Sequence, residues 1–359
     1  MSVTIDQILQ FAVKSKVSDV HLKVGRPAIY RKDGRLVPHK GTMEIQPIHI
    51  KEWVEHMAGE RQRKALNEKG EVDFAYQLDG VGRFRVNAFY QRELAGMVLR
   101  VIPTTITPLA ALQLPKVMQR FVDMRRGLVL VTGATGSGKS TTLAAIINEI
   151  NENRADHILT IEDPIEFIHE DKKSAVNQRE VGQDTGSFAT GLRSALRQDP
   201  DVILIGEMRD TETIETALHA AETGHLVFST LHTLDTSETV SRIINMFQPH
   251  SRDEVRKSLA GVLKGVISQR LVPLKDGKGR VAACEVMLVT ELIRECISDQ
   301  NKTHEIRQFV ERGNTTTGSQ TFDQALVAHY RGGLIAEETV LEFATNPSDV
   351  KLLLSGIGR

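Results

Sequence analysis

The pattern of apolar and polar positions changes about one hundred residues into the chain. Before that point, helical spacing and strict alternation follow each other at short intervals, which predicts a small α+β domain. The opening segment carries Ile5, Ile8, Leu9 and Ala12 on one side of a helix, so we expect an amphipathic helix there. The other elements are predicted as strands over 20–24 and 28–31, a turn at Asp33–Gly34, helices over 48–58 and 60–67, and strands over 72–78, 83–91 and 97–102.

Downstream of this region, short apolar runs alternate with helical segments. The runs are predicted as strands over 128–132, 157–161, 202–205 and 226–230. Uninterrupted apolar runs separated by helices indicate a parallel, doubly wound sheet that is covered on both faces. From about Ser251 onward the pattern indicates mainly helix. We therefore predict an N-terminal domain over 1–102, a linker over 103–109 that contains TTIT between two prolines, and an α/β domain over 110–359.

The overall composition excludes several classes of protein. Lys and Arg number 45 against 46 Asp and Glu, and aromatic residues make up 5% of the chain, which is not typical of a nucleic-acid-binding channel. Only Cys284 and Cys296 are present, which fits a reducing cytosol and is too few for a four-cysteine zinc site. Apolar runs of about 18 residues do not occur. We expect a cytoplasmic protein that binds no nucleic acid and does not insert into a membrane by itself.

A nucleotide-binding motif joins the first apolar run to the helix after it. Residues 133–140, GATGSGKS, fit the phosphate-loop pattern G-x-x-x-x-G-K-[ST], with GLVLVT before them and TTLAAIINEI after them. Glycines let successive N–H groups face the phosphates of ATP, and the helix N-terminus adds positive potential. We expect Lys139 to reach the β- and γ-phosphates and Ser140 to ligate Mg²⁺. The predicted nucleotide-binding residues are Gly133, Ala134, Thr135, Gly136, Ser137, Gly138, Lys139, Ser140 and Thr141.

Hydrolysis also needs acidic groups, and two of the apolar runs are followed by carboxylates. Glu207 follows the run 202–205, and ligand groups in open α/β sheets gather at the carboxyl ends of strands. We therefore expect Glu207 to hold Mg²⁺ directly or through water. Glu162, Asp163 and Glu166 follow the run 157–161 and are candidates to orient or deprotonate the attacking water.

The fourth apolar run has a histidine beyond each of its ends. His225 and His232 lie about 23 Å apart along an extended strand, so they cannot both touch one phosphate. His232 follows the carboxyl end and is the better candidate to sense the γ-phosphate. For His225, at the opposite end, a structural role and an intersubunit role are both open.

These motifs together resemble the secretion-superfamily ATPases of type II secretion and type IV pili. ATGSGKS, ILTIEDPIEFIH, VNQREVGQDTGSF, LRQDPDVILIGEMRD and AETGHLVFSTLHT correspond, in order, to the Walker A, Asp-box, Walker B and His-box regions of that family. RFRVNAFYQR upstream and LKGVISQRLVP downstream extend the similarity over nearly the whole chain. Within the superfamily, the chain is most similar to the pilus retraction ATPases that drive twitching motility.

The resemblance implies a fold, an assembly and a place of action. It implies a PAS-like N-terminal domain, a RecA-like ATPase domain and a homohexameric ring, with ATP between the two domains and the next subunit. The implied partner is a platform protein of the pilus at the inner membrane, to which the protein would bind peripherally. It also implies a general base among the Asp-box acids, with Glu166 preferred, a Mg²⁺-side role for Glu207, and functional roles for His225 and His232, with His225 grouped with the nucleotide-binding residues.

The family also supplies arginines to the γ-phosphate from the N-terminal domain or from the adjacent subunit. Strand alternation selects the candidates here, because Arg83 and Arg85 share one face of RFRVNAF while Phe84 and Val86 share the other.

The sequence departs from the pattern of the retraction ATPases at two places. Ala134 occupies a loop position that is usually Pro, which should not alter the phosphate chemistry. Residues 292–299, LIRECISD, align with an AIRNLIRE element tied to retraction and keep only Ile293, Arg294 and Ile297. An accessory retraction ATPase is therefore an alternative. A pilus-assembly or type II secretion ATPase is a weaker one, since those proteins have longer N-terminal regions and typically a four-cysteine zinc insertion.

Overall fold

The structure is a computed structural model that describes residues 4–32, 34–39, 43–103 and 105–355. The chain divides into two compact units, which are Met1–Thr105 with Glu166–Ile168 and Ile106–Ile165 with His169–Arg359. None of the helices in the described ranges has the length and apolar character needed to span a bilayer. The turn predicted at Asp33–Gly34 includes Asp33, which lies outside the described residues.

The first unit contains three helices and one antiparallel sheet. Its elements are α1 (Ile5–Lys14), β1 (Asp19–Lys23), β2 (Ile29–Lys32), β3 (Arg35–Pro38), α2 (Pro47–Met57), α3 (Glu60–Lys69), β4 (Glu71–Leu78), β5 (Gly82–Gln91) and β6 (Leu94–Ile102). The strands are arranged in the order β3-β2-β1-β6-β5-β4. This is the α+β architecture that the sequence predicts, with β3 as an additional edge strand.

Helix α1 forms where the apolar spacing predicts it. Thr4 and Gln7 form a capping box in which each side chain accepts a hydrogen bond from the other residue's backbone N–H. The four apolar residues on the predicted face, Ile5, Ile8, Leu9 and Ala12, are all buried. The helix is therefore fixed by a local cap at its start and by core packing along one side.

The second unit is a seven-stranded sheet flanked by helices. Its strands are β7 (Gly127–Thr132), β8 (His157–Glu162), β9 (Ala175–Glu180), β10 (Val202–Ile205), β11 (Leu226–Leu231), β12 (Leu263–Pro273) and β13 (Arg280–Leu288). Its α-helices are α4 (Met118–Asp123), α5 (Lys139–Asn153), α6 (Phe188–Ala195), α7 (Thr211–Glu222), α8 (Thr236–Asn245), α9 (Arg252–Val262), α10 (Glu291–Ser298), α11 (Ile306–Arg312), α12 (Phe322–Arg331), α13 (Glu337–Phe343) and α14 (Pro347–Leu354). Short 3-10 helices lie at Leu109–Leu112, Pro249–Ser251 and Thr303–Glu305.

The order of the strands is β13-β12-β7-β11-β10-β8-β9. Each neighbouring pair is parallel except β12 with β13, which is antiparallel. Every residue of β7, β10 and β11 is buried, which explains why these strands are continuous apolar runs in the sequence. The predicted fold class, an α+β domain followed by a mainly parallel sheet with C-terminal helices, is confirmed.

The expectation of mainly helix from Ser251 onward is wrong over two segments, because β12 and β13 form a hairpin there. β12 follows α9 without an intervening turn, and Lys264 and the segment 268–270 interrupt its apolar residues, so it shows neither strict alternation nor a continuous apolar run. The pattern also does not predict β9. This strand lies at the edge of the sheet, and its sequence, AVNQRE, is mostly polar. The sequence pattern does not predict the edge strand β3 either, because all four of its residues are exposed.

We predict that Gly265→Ala lowers the stability of the second unit. A Cβ at Gly265 would lie against the buried ring of Phe121 and 2.8 Å from the carbonyl oxygen of Met287. Overpacking of this kind costs about 1–3 kcal/mol, to be measured as a shift in the midpoint of chemical unfolding. Gly261→Ala is the matched control, because nothing lies within 4 Å of its Cβ position on α9. Equal stability of the two variants would show that β12 does not pack against Phe121 as described.

Candidate active site

The phosphate loop connects β7 to α5 at the carboxyl edge of the larger sheet. Gly133, Gly136 and Gly138 have φ angles of 138°, 80° and 92°, a region of backbone space that L side chains disfavour. At Gly133, a Cβ would lie 2.5 Å from the carbonyl oxygen of Gln269 and 2.7 Å from Ser137 Oγ. The loop therefore requires glycine at its first position for both its backbone conformation and its close packing.

Lys139 is the first residue of α5, and its side chain lies back over the loop. Its Nζ donates hydrogen bonds to the carbonyl oxygens of Gly133 at 2.8 Å and Ala134 at 3.1 Å. Ser140 and Thr141 follow it on the first turn and are half-buried. No side chain caps the start of α5 among the described residues. The first N–H groups of α5 and the positive end of its dipole therefore face the loop, as in an anion-binding site.

The middle of the loop combines exposed backbone with one buried hydroxyl. Ala134, Thr135 and Gly136 are exposed, whereas Ser137 is buried. Within the described residues, Ser137 Oγ has no hydrogen-bond partner. A buried polar atom without a partner costs free energy unless a ligand or water satisfies it. This loop is therefore suited to binding an oxyanion.

Glu207 lies just beyond β10, and each of its two oxygens has a polar partner. Arg209 Nε and Nη2 lie 2.8 Å and 2.7 Å from its Oε2, and His232 Nε2 lies 3.1 Å from its Oε1. Glu207 and His232 meet because β10 and β11 are parallel neighbours and both residues follow carboxyl ends. The structure thus brings together two residues that the sequence placed at separate strand ends.

The charged neighbours keep Glu207 ionised. Burial by itself would raise the pKa of this carboxyl group. The hydrogen bond from Arg209, the charge of His232 and the charge of Arg209 outweigh burial, and the pKa of Glu207 lies below its ordinary value. Glu207 is therefore a carboxylate at neutral pH, the form that a metal ligand must take.

Glu162 is the last residue of β8 and is held in a hydrogen-bond network. Its Oε1 accepts hydrogen bonds from Thr160 Oγ1 at 2.7 Å and from Gln178 Nε2 at 3.1 Å. Gln178 Oε1 in turn accepts from the backbone N–H of His169 at 2.8 Å. Because β8 is the parallel neighbour of β10, Glu162 lies at the same sheet edge as Glu207.

The other two Asp-box acids lie in more open positions. Asp163 is exposed, and after the dominant effect of Glu207 its charge also helps to hold the pKa of Arg209 above the usual value. Glu166 is exposed and groups with the first unit. The assignment of the general base among Glu162, Asp163 and Glu166 stays a prediction.

His225 precedes β11 and lies at the amino edge of the sheet. Its Nδ1 lies 2.8 Å from the carbonyl oxygen of Ala220 and 3.2 Å from Thr223 Oγ1, so the ring binds the end of α7. The phosphate loop follows the opposite end of β7, which is the parallel neighbour of β11. The structure does not bring His225 to the phosphate loop of its own chain, and a role for it in nucleotide binding stays a prediction.

Arg83 and Arg85 lie on the face of β5 that the alternation predicts. Phe84 and Val86 are fully buried, whereas Arg83 is half-buried and Arg85 is exposed. Arg85 Nε lies 3.6 Å from Asp73 Oδ1 on the adjacent strand β4. The predicted role of both arginines at the γ-phosphate stays a prediction.

A cleft of about 320 Å³ opens beside the last glycine of the phosphate loop. One wall consists of Gly138 and Thr141, and another consists of Leu271 and Arg280 from the β12–β13 hairpin. The short segment 111–114 lines the third side. The cleft is therefore a mainly apolar space immediately next to the predicted phosphate site.

Three residues around this site were not predicted from the sequence. Arg209 is signalled only by its position two residues after Glu207 in GEMRD. Gln178 belongs to β9 and Leu271 to β12, two strands that the sequence pattern did not predict. The contacts of these three residues depend on which strands pair and on how the loops are folded. The pattern of apolar and polar positions along the chain does not contain that information.

Comparison with known proteins shows relatives along nearly the whole chain. The type IV pilus retraction ATPase PilT of Pseudomonas aeruginosa is 46% identical over 348 residues, which cover 96% of this chain and 99% of that protein. The type IV pilus ATPase PilU of the same organism is 43% identical, with 97% of this chain and 91% of that protein covered.

A solved structure and a protein-family match indicate the same family as these two relatives. The crystal structure of the pilus retraction motor PilT with bound ADP superposes with a TM-score of 0.90 at 44% identity, covering 98% of this chain and 99% of that one. The family described as type II/IV secretion system protein matches residues 1–338. The chain therefore belongs to the type II/IV secretion system protein family.

Proposed function

We propose that this protein is an ATP-hydrolysing motor that retracts type IV pili. The observation that carries the proposal is the meeting of four groups at one edge of the sheet. The phosphate loop, Glu207 and His232 follow the carboxyl ends of parallel strands in the second unit, and Glu162 is the last residue of another strand of that set. A relative similar over the whole chain is a pilus retraction ATPase, which supports retraction as the work that hydrolysis drives.

The nucleotide binds with its phosphates on the loop and its base in the adjacent cleft. Backbone N–H groups of the loop and the start of α5 donate to phosphate oxygens. Lys139, whose Nζ now donates to two loop carbonyls, supplies the point charge for the β- and γ-phosphates. The apolar walls formed by Leu271 and the segment 111–114 suit an adenine ring.

Mg²⁺ is the metal that the donor set fits. The Ser140 hydroxyl and the Glu207 carboxylate are oxygen ligands, which Mg²⁺ prefers. No cluster of three or more His, Cys, Asp or Glu side chains suited to a metal occurs in the described part of the chain. Mg²⁺ with ATP needs no such cluster, because it keeps several waters and binds phosphate oxygens. When bound, it supplies positive charge that neutralises charge developing on the phosphates.

The remaining residues orient and activate the attacking water. A carboxylate of the Asp box, Glu162, Asp163 or Glu166, accepts the proton, with Glu166 preferred. The proposed role of His232, whose Nε2 lies 3.1 Å from Glu207 Oε1, is to respond to the γ-phosphate. The proposed role of Arg83 and Arg85 is to add positive charge at the γ-phosphate, either from the N-terminal domain of the same chain or across the boundary to the adjacent subunit.

The motor is a homohexamer built from subunits with domains over 1–102 and 110–359 joined by the linker 103–109. It works in the cytoplasm, peripheral to the inner membrane, through a platform protein of the pilus, and it binds no nucleic acid. These statements rest on the resemblance of the motifs to pilus retraction ATPases and on the similarity to PilT over 96% of the chain.

A second candidate function is that of an accessory retraction ATPase, and helix α10 favours it. Two of the three family residues kept in 292–299, Ile293 and Ile297, are buried in the core. Leu292 is 53% exposed and replaces a smaller residue of the family element. The kept pair therefore preserves packing, while the changes fall largely on the accessible side of the helix. Similarity to PilU, at 43% identity, is consistent with this alternative.

Lys139→Ala should abolish ATP turnover, because it removes the only point charge that the loop offers to the β- and γ-phosphates. Phosphate release measures the effect, and turnover should fall by at least about tenfold. Lys257→Ala on α9 is the control, since Lys257 is exposed and lies outside the nucleotide-binding and acidic motifs. Turnover above a tenth of the unmodified protein would contradict the phosphate-loop assignment.

Glu207→Gln and Glu166→Gln should each lower turnover by about 100-fold or more while nucleotide binding persists. Removing a carboxylate beside phosphates takes away no attraction for them, so the dissociation constant for ATP should not rise. Glu215→Gln, on the exposed side of α7, is the control and should be fully active. If Glu166→Gln is active and Glu162→Gln is not, the general base is Glu162.

Deleting the gene should leave pili assembled, in normal or excess number, and should abolish or weaken twitching. Electron microscopy of pili and a surface motility assay measure the two effects, and expression of the Lys139→Ala variant should not restore motility. Cells without any pili would place the protein on the assembly side. Unchanged pili and motility would favour the accessory function.

A further inference from the structure

A buried carboxylate outside the proposed catalytic groups is bound to the helix that follows His232. Glu285 lies on β13 and is 7% exposed. Its Oε1 accepts two hydrogen bonds from one residue, from the backbone N–H of Thr236 at 2.9 Å and from Thr236 Oγ1 at 2.9 Å. Thr236 is itself 1% exposed. This contact joins two residues that are 49 positions apart in the chain.

The contact fixes the start of α8. Thr236 is the first residue of this helix, and the first N–H groups of a helix have no partner within it. The Asp235 side chain caps the helix by accepting from the N–H of Glu238 at 2.7 Å. Glu285 accepts from the N–H of Thr236, which Asp235 does not serve. The two carboxylates thus share the N-terminus of α8, one from its own loop and one from the sheet.

The loop between His232 and α8 is tightly constrained. Thr233 Oγ1 lies 2.7 Å from Thr239 Oγ1, and Thr239 Oγ1 also donates to the carbonyl oxygen of Asp235 at 2.7 Å. The N–H of Leu234 donates to Glu238 at 2.8 Å. The two residues after His232 are thus tied to the first turn of α8, and His232 Nε2 itself lies 3.1 Å from Glu207 Oε1.

Glu285 also lies in line with the phosphate loop. Thr132, Ser268 and Glu285 are cross-strand partners on β7, β12 and β13. Thr132 Oγ1 and Ser268 Oγ lie 2.7 Å apart, and both residues are fully buried. Because Thr132 immediately precedes Gly133, this polar row runs from the base of the phosphate loop to the carboxylate that holds α8.

We propose that Glu285 is a positioning residue that holds His232 at the γ-phosphate side of the site through its two hydrogen bonds with Thr236. The proposal rests on the proposed function for the role of His232. Glu285 itself touches neither nucleotide nor water in the reaction, and it acts only through the start of α8.

Thr236 needs an acceptor oxygen at position 285, and it does not need the negative charge of Glu285. Burial raises the pKa of Glu285, the hydrogen bonds from Thr236 lower it, Asp235 raises it and Arg307 lowers it, with a net rise. A neutral amide at this position would keep the carbonyl oxygen that Thr236 requires and would avoid burying a charge. Glu285→Gln is therefore the conservative variant, and Glu285→Leu is the disruptive one.

In phosphate-release assays of the assembled protein, Glu285→Leu should lower kcat by about 10- to 100-fold, because a small displacement of a catalytic group has effects of this size. KM for ATP and Kd for ADP should change by less than about twofold, since the phosphate loop is untouched. Glu285→Gln should keep nearly full activity. A Glu285→Gln variant as inactive as Glu285→Leu, or an active Glu285→Leu variant, would overturn the proposal.

A double-mutant cycle separates positioning from general stability. If Glu285 acts through His232, the His232→Ala, Glu285→Leu double variant should be no slower than His232→Ala alone, to within about twofold. Losses that multiply would overturn the proposal. A His232→Ala variant with normal turnover would contradict the proposed role of His232. Whether Glu285 holds the loop after His232 would then be decided by a separate measurement.

Amide hydrogen exchange provides that separate measurement. Thr236→Val keeps the buried volume and removes one donor, and it serves also if Glu285→Leu does not fold. Exchange of the amides over 233–236 should accelerate in this variant while exchange in β7 stays unchanged. Unchanged exchange over 233–236 in both Thr236→Val and Glu285→Leu, the second of which loses both hydrogen bonds, would show that Glu285 does not hold this loop.

Discussion

The parallel alignment of β7, β11, β10 and β8 is the constraint on which the site depends. Four segments that are far apart in the chain end at one edge of the sheet because their strands run in the same direction. The phosphate loop, His232, Glu207 and Glu162 occupy these four ends. The candidate site is thus a consequence of topology, and each of its groups lies at the end of a strand or within two residues of that end.

Gathering charged groups at a sheet edge has an electrostatic cost, which neighbouring side chains offset. Glu207 is half-buried, and burial alone would favour its neutral form. Arg209 and His232 each take one of its oxygens and keep it ionised. Lys139 is likewise bound to two loop carbonyls. The charges at this edge are therefore held in place by the protein's own groups, which favours preorganised contacts with an incoming phosphate.

Much of this arrangement could be predicted from the sequence, because buried parallel strands are continuous apolar runs and amphipathic helices have regular spacing. The strands β7, β8, β10 and β11, the helix α1 and the phosphate loop are of this kind. The pattern does not indicate β12, because polar residues interrupt its apolar positions and no turn separates it from α9. Arg209, Gln178 and Glu285 were missed for another reason. Their contacts depend on which strands and loops are neighbours in space.

The β12–β13 hairpin shows why that omission matters. It pairs with β7, so the strand that carries the phosphate loop is an interior strand with neighbours on both sides. Its Gln269 carbonyl packs against Gly133, and its Leu271 lines the cleft beside Gly138. Its Glu285 holds the start of α8. One hairpin therefore supports the phosphate loop on one side and the loop after His232 on the other, which makes it a physical link between these two parts of the candidate site.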